Sequence, residues 1–300
     1  MSGHRLEGDM PNPFEWSTEM DAIFWNSIGK VIQDDPRTDW SENLSLGYPF
    51  ELIREEVLAK GLADFSTGHD HAIYGSLTAE EKVLLYCFVN LKRHFFACLA
   101  TYEVHRTILQ KVLDSESPPL LVDVGCGPAT ACLAFAELKV NRRFDYLGID
   151  QAPTMRSRAN ALWESARTRG LIDKDSKATF VPSWSDYAED NIGAEVPVIV
   201  IFSYFFASHT LTLAAIVSLA RFVNRLTKTR TSGNSTLVYL NSSNPLANRN
   251  YEIFKQQLGI EPATAVPDKL TIEFRKRKGG PNVGKEEFVH ELIQLQAGET

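Results

Sequence analysis

Apolar positions in this chain follow a helical period up to about residue 114; beyond it, short apolar runs alternate with helical stretches. From about Trp16 to Ile32, the residues Ile23, Phe24, Ile28 and Val31 are spaced for one helical face before Pro36 ends the pattern, and a second short helix is predicted over 51 to 60. Residues 64 to 77, DFSTGHDHAIYGSL, carry two glycines and no period, so they read as an ordered loop. Thr78 with Glu81 three residues on forms a capping box, and neither Gly nor Pro occurs from 79 to 116. Leu84, Phe88, Leu91, Phe95, Leu99 and Tyr102 recur at three and four residues, widened by Val83, Tyr86, Cys87, Phe96 and Cys98, which predicts a long helix over 79 to 112. Its apolar surface is broader than one neighbouring helix covers, so a second copy of the chain, giving a homodimer, is one way to bury it.

From residue 119 the punctuation changes. Strands are predicted at 119 to 124, 145 to 150, 178 to 182, 197 to 202 and 235 to 241, with helices near 128 to 138, 153 to 168, 210 to 226 and 248 to 258. Strands separated by helices imply parallel β-α-β packing with right-handed crossovers. TIEFRKR and EFVHELIQL, joined by the turn-forming GGPNVG, then read as an antiparallel pair at one side of the sheet. Residues 196 to 220 contain no Asp, Glu, Lys or Arg, long enough to raise a membrane span. Their internal order argues against one: VPVIVIF is short and β-branched, SYFFASHT is a break, and LTLAAIVSLARF is helical, as a buried parallel strand and its helix would be.

The formal charge of -7 and pI near 5.6 weigh against a protein that finds nucleic acid by general attraction to phosphate. The basic Arg275-Lys276-Arg277-Lys278 turn keeps RNA open as a partner, although a solvated hairpin tip explains it more economically. Four cysteines without CxxC spacing and no secretory pattern at the N-terminus fit a reducing, cytoplasmic setting. His69-Asp70-His71 lacks further ligands, and no metal is expected.

The chemistry-bearing segment is Leu121-Val122-Asp123-Val124-Gly125-Cys126-Gly127-Pro128-Ala129-Thr130. An apolar strand running into Gly-x-Gly permits a tight turn and close approach of a ligand, and the helix start that follows offers unpaired N–H groups. Asp150 ends the second strand, where a carboxylate can accept both hydroxyls of a ribose. A nicotinamide dinucleotide site shares this arrangement, but Thr130 stands where the third glycine of GxGxxG would be.

The VDVGCGxA pattern, and with it residues 115 to 296, resembles class I S-adenosylmethionine-dependent methyltransferases. The resemblance implies an α/β, Rossmann-like fold of sheet order 3-2-1-4-5-7-6. Residues 1 to 114 would form a helical cap or substrate-recognition region over the C-terminal strand edge, and 115 to 300 the S-adenosyl-L-methionine-binding domain. It places Asp123, Gly125, Cys126 and Gly127 around the methionine portion, Asp150 on the ribose, Gln151 by the adenosine, and Trp184, Ser185 and Asp186 beside adenine. Ser203 and Tyr204 would orient the acceptor, with His209 as a base; apart from the resemblance, the glycine-containing 64 to 77 loop just ahead of the capped helix would bring Tyr74 over the cofactor. VDVGCGPATA also resembles, locally, ribosomal small-subunit methyltransferase-like proteins. No Asn/Asp-Pro-Pro-aromatic signature of exocyclic-amine methylation occurs. The function implied is methyl transfer to a small molecule or unidentified polar acceptor. The alternatives are an RNA or protein methyltransferase and an inactive cofactor-binding regulatory protein.

Overall fold

Seven strands make one sheet: β1 (Leu120–Val124), β2 (Asp145–Ile149), β3 (Ala178–Val181), β4 (Val198–Ser203), β5 (Ser235–Ser242), β6 (Asp268–Arg275) and β7 (Val283–Leu295). The computed structural model describes residues 13–59, 62–138, 143–188, 192–193, 195–228, 235–260 and 267–295. Across the sheet the order is β6-β7-β5-β4-β1-β2-β3, which is the 3-2-1-4-5-7-6 order that the resemblance implies. β1 to β5 pair in parallel, while β7 inserts antiparallel between β5 and β6. The chain therefore has the Rossmann-like class I methyltransferase fold.

Side-chain alternation along the central strands divides the core in two. Val122, Val124, Val200, Phe202, Leu237 and Tyr239 point to one face, covered by α7 (Leu213–Lys228) and α8 (Pro245–Gln257). Leu121, Ile199, Ile201, Val238, Leu240 and Phe288 point to the other. There they meet α5 (Thr130–Glu137), α6 (Pro153–Thr168) and the N-terminal helices α1 (18–33), α2 (50–57), α3 (Ala79–Val104) and α4 (Arg106–Leu113). Each fully buried Leu, Ile, Val or Phe contributes about 1.5–3 kcal/mol, so the N-terminal helices are part of the principal core. The region predicted as a cap over the strand edge is thus also a layer on a sheet face, because α3 lays its apolar surface against α5, β5, β6 and β7. The surface that invited a second copy is buried within the chain.

α3 has the expected capping box, with Glu81 N–H donating to Thr78 Oγ1 and Thr78 N–H to Glu81. It departs from the expectation twice. A π-helical turn, Cys87–Leu91, interrupts it, and it stops at His105, whose ψ of 14° leaves the helical basin; α4 follows. The His105 ring is fixed to β7, its Nε2 3.1 Å from His290 Nδ1. By length and composition α3 could cross a membrane, but 72% of its most apolar window is buried inside this fold, as in a core helix.

The chain ahead of α1 closes the sheet edge: Phe14 N–H donates to Glu273 O and Phe14 O accepts from Arg275 N–H, pairing beside β6. Trp16 packs against Phe24, Phe95 and Phe96 with the Lys92 ammonium 3.9 Å from its ring. Residues 64 to 77 are more ordered than a loop, containing a hairpin of His69–His71 with Gly75–Leu77. Lys82 Nζ pins this segment by donating to Asp64 O (2.5 Å) and Gly68 O (3.4 Å).

Candidate cofactor and methyl-transfer site

At the C-terminal edge of β1, β2 and β4 lies a cavity of about 310 Å³, the position where open α/β sheets take ligands. Its floor is the glycine loop. Gly125 and Cys126 N–H both donate to Ile149 O, tying the loop to the end of β2 (2.8 and 3.0 Å). Gly125 has φ 71°, and a Cβ there would come 2.5 Å from Phe205 Cδ2, so only glycine lets the chain pass under that ring. Gly127 has φ 50°, and a Cβ there would meet nothing within 4 Å, which leaves space for a ligand to approach the backbone. Ala129, also left-handed at φ 61°, opens α5.

Asp150 faces this floor. Its Oδ2 accepts from Gly127 N–H (3.0 Å) and its Oδ1 from Ala152 N–H (2.9 Å). A carboxylate offers about four lone-pair sites, so both oxygens retain capacity for further donors. Burial lifts its pKa above the ordinary carboxylate range, and the two N–H donors oppose that lift. The side walls near it are Gln151, Met155, Pro182 and Trp184, the indole Nε1 of Trp184 donating to Ser218 Oγ (3.0 Å).

The opposite wall is aromatic: Phe65, Tyr86, Tyr204 and Phe205, with Ser203. Tyr204 follows β4 with φ 57°, a conformation that costs a bulky residue about 1–3 kcal/mol. Three contacts hold it there. Its N–H donates to Leu240 O (2.9 Å), its hydroxyl donates to Glu286 Oε1 (3.1 Å), and its ring stacks on His94 at 4.0 Å and 18°. His94 Nδ1 lies 3.5 Å from the Tyr86 hydroxyl, and burial holds the imidazole well below its ordinary pKa. Ser203 Oγ is 3.4 Å from Cys98 Sγ on α3.

The residues singled out in the sequence thus separate. Gly125, Gly127, Asp150, Gln151, Trp184, Ser203 and Tyr204 line the cavity together. Asp123 does not, because alternation along β1 turns it to the opposite face from Val122 and Val124. It is 1% exposed, accepts from the Tyr146 hydroxyl (2.9 Å), leaves Oδ1 without a partner, and has its pKa pushed up to about 7 by burial. Cys126 is turned inward with its Sγ against Gly127 O, and burial pushes its thiol pKa up.

Ser185 and Asp186 form an exposed 3-10 turn capped by Ser183, outside the lining. His209 lies on an exposed turn outside the lining, and Thr212 caps α7. Tyr74 packs on Tyr48 and His71; the loop reaches the cavity through Ala63 and Phe65 instead. Sequence reading missed Phe65, Tyr86, His94 and Glu286 as site residues. In a regular helix Tyr86 and His94, eight residues apart, are out of phase by about 80°; the π turn between them inserts the residue that restores a common face.

No family model matches this chain, and no curated protein does. Solved structures that it is similar to include precorrin-6Y C5,15-methyltransferase from Geobacter metallireducens GS-15, at 15% identity over 63% of this chain and 86% of that one, TM-score 0.38. A putative RNA methyltransferase from Pyrococcus horikoshii is 12% identical over 80% and 96%, TM-score 0.36. Magnesium protoporphyrin IX methyltransferase from Synechocystis PCC 6803 is 11% identical over 67% and 83%, TM-score 0.32. The assignment of the fold rests on the chain's own strand order and on the antiparallel β7 between β5 and β6.

Proposed function

We propose that this protein binds S-adenosyl-L-methionine across the β1 and β2 ends and transfers its methyl group to an acceptor held against the aromatic wall. The observation that carries the reading is Asp150: a carboxylate oriented by Gly127 and Ala152 N–H groups at the mouth of a loop whose Gly127 leaves open space. The residues fit the group. Asp150 would take the ribose hydroxyls, the Gly125–Gly127 backbone would pass beside the methionine portion, and Trp184 with Pro182 would border adenine. A cavity of about 310 Å³ is within the range of small-molecule sites.

When bound, the sulfonium supplies an activated methyl group. The chain supplies placement: Tyr204 and Phe205 bound the space on the acceptor side, and Phe65 and Tyr86 shield it from water. The proposed setting is the cytoplasm. Isothermal titration tests the cofactor half: S-adenosylhomocysteine binds, NAD does not compete, and Asp150→Ala abolishes the heat. Transfer of labelled methyl is then read on small phenols, RNA and protein. Label in RNA or protein gives the alternative acceptor class, and tight binding without transfer to any of them marks a regulatory cofactor-binding protein. Absence of S-adenosylhomocysteine binding overturns the reading.

A further inference from the structure

Four side chains from three elements form one contiguous path at the acceptor wall: Tyr86 and His94 on α3, Tyr204 after β4 and Glu286 on β7. We infer that Tyr86 and His94 are a proton-accepting pair, and that the acceptor is accordingly an aromatic hydroxyl, a group that must lose a proton as it is methylated. The inference rests on the methyl-transfer reading above and names the substrate class of that same site.

The geometry carries it in three steps. Tyr86 lines the cavity and its hydroxyl lies 3.5 Å from His94 Nδ1, so a proton arriving at Tyr86 can be passed to the imidazole. The backbone is shaped to make this contact, since the π turn Cys87–Leu91 brings the two side chains onto one face. Finally, the His94 ring stacks on Tyr204, whose hydroxyl donates to Glu286, so an imidazolium formed there rests against an aromatic face with a carboxylate behind it. The other charged group acting on His94 is Arg93, on the same helix; it and burial both disfavour the imidazolium, so the ring is neutral at rest and the charge it takes up in the step is offset by the Tyr204 face and by Glu286. The flat aromatic lining of Phe65, Tyr204 and Phe205 suits a planar ring.

In the step, the acceptor oxygen forms its bond to the methyl carbon as the methyl–sulfur bond breaks, the electron pair staying on sulfur. The hydroxyl proton goes to Tyr86 Oη, and the Tyr86 proton to His94 Nδ1; water later removes it. The products are a methyl ether and a neutral thioether. Tyr86 touches the acceptor in this scheme, and His94 acts through Tyr86.

The test uses the full chain with S-adenosylhomocysteine bound and 4-nitrophenol as the probe, whose absorbance reports its ionisation without turnover. In the wild type, bound 4-nitrophenol is expected to absorb as phenolate below its solution pKa. In Tyr86→Phe and in His94→Phe it stays protonated, while S-adenosylhomocysteine affinity holds. Tyr86→Phe removes one hydroxyl and keeps the ring, so a folding failure of His94→Phe leaves the test intact. With a phenol that is turned over, loss of either group is expected to cost about a hundredfold in kcat, with the acid limb of the pH profile lost. Four results overturn the inference: 4-nitrophenol that stays protonated in the wild type, ionisation that persists in Tyr86→Phe, no binding of the phenol to the S-adenosylhomocysteine complex, or turnover unchanged by Tyr86→Phe. Failure of S-adenosylhomocysteine itself to bind overturns the function reading instead, and this inference with it.

Discussion

The two walls of the cavity are built in opposite ways. The β1–β2 wall is nearly all local: residues 124 to 127 supply a backbone floor, and Asp150 reaches it through hydrogen bonds to main-chain N–H groups. The opposite wall is assembled by side chains from positions 65, 86, 204 and 205, drawn from distant parts of the chain, with Tyr204 held by the His94 stack and a hydroxyl hydrogen bond to Glu286. Backbone geometry is set by a few short-range contacts and tolerates little change. Side-chain geometry depends on α3 docking on the sheet and can vary while the fold persists. A site made this way keeps one ligand constant and leaves the other adaptable, and substitutions can break or sharpen that division.

The largest effect is expected at Gly125→Ala. The left-handed φ costs about 1–2 kcal/mol and the overlap with Phe205 about 1–3 kcal/mol more, so denaturant unfolding should show a severe loss and titration no cofactor binding. If this variant is as stable as the wild type, the local wall is softer than its geometry implies. Asp150→Ala comes next: on the proposed reading, two ribose hydroxyl hydrogen bonds to a charged group, each worth about 1.5–3 kcal/mol, should fall out of cofactor binding. Titration should then show a loss of about a hundredfold or more, and thermal melting a loss from the Gly127 and Ala152 N–H bonds to the carboxylate.

Buried ionisable groups on the α3 side make the stability of the fold depend on pH in two opposed ways. His105 sits at about 4 and His94 well below its ordinary value, both because burial disfavours the imidazolium. Unfolded histidine takes up its proton near pH ~6.5, so these groups support the fold above that pH and lose the contribution as pH falls toward 4. Asp123, raised to about 7, acts in reverse: it stays protonated in the fold while the unfolded carboxyl ionises from its ordinary value of 3.8 upward, so stability is lost as pH rises to 7. Asp123→Asn should therefore gain on the wild type in thermal melts as pH rises across that window. A difference independent of pH would contradict an ionisable buried Asp123.

Smaller still is Tyr204→Phe. It keeps the stack on His94 and loses the hydroxyl to Glu286, for about 1 kcal/mol in denaturant unfolding, with little change in cofactor affinity. Tyr204→Ala, which removes the stack, should be worse in stability than Tyr204→Phe. Tyr74→Ala is expected to leave cofactor affinity unchanged and lower only the melting temperature, because its ring packs on Tyr48 and His71. A titration in which it weakens S-adenosylhomocysteine binding would return Tyr74 to the cavity.

Sequence by itself determined the alternation of strands and helices, the antiparallel terminal pair, the capping box at Thr78, and the glycine loop with Asp150, because each is written in neighbouring residues through periodicity, caps and obligatory φ values. It did not determine which aromatic and histidine side chains reach the cavity. Tyr74 and His209 had the right chemistry in loops of the right region, yet one packs into its own hairpin and the other stays on an exposed turn. Phe65 and Tyr86 took the places instead, with His94 stacked on Tyr204, since a π turn rephased α3 and the docking of that helix on the sheet decided what faced Tyr204. Asp123 shows the same division within a single strand: the motif located it, but alternation about β1 and the helices packed on that face made it a buried acid rather than a cavity group. Local backbone geometry is encoded over a few residues, whereas the direction in which a side chain is used depends on what long-range packing sets opposite it.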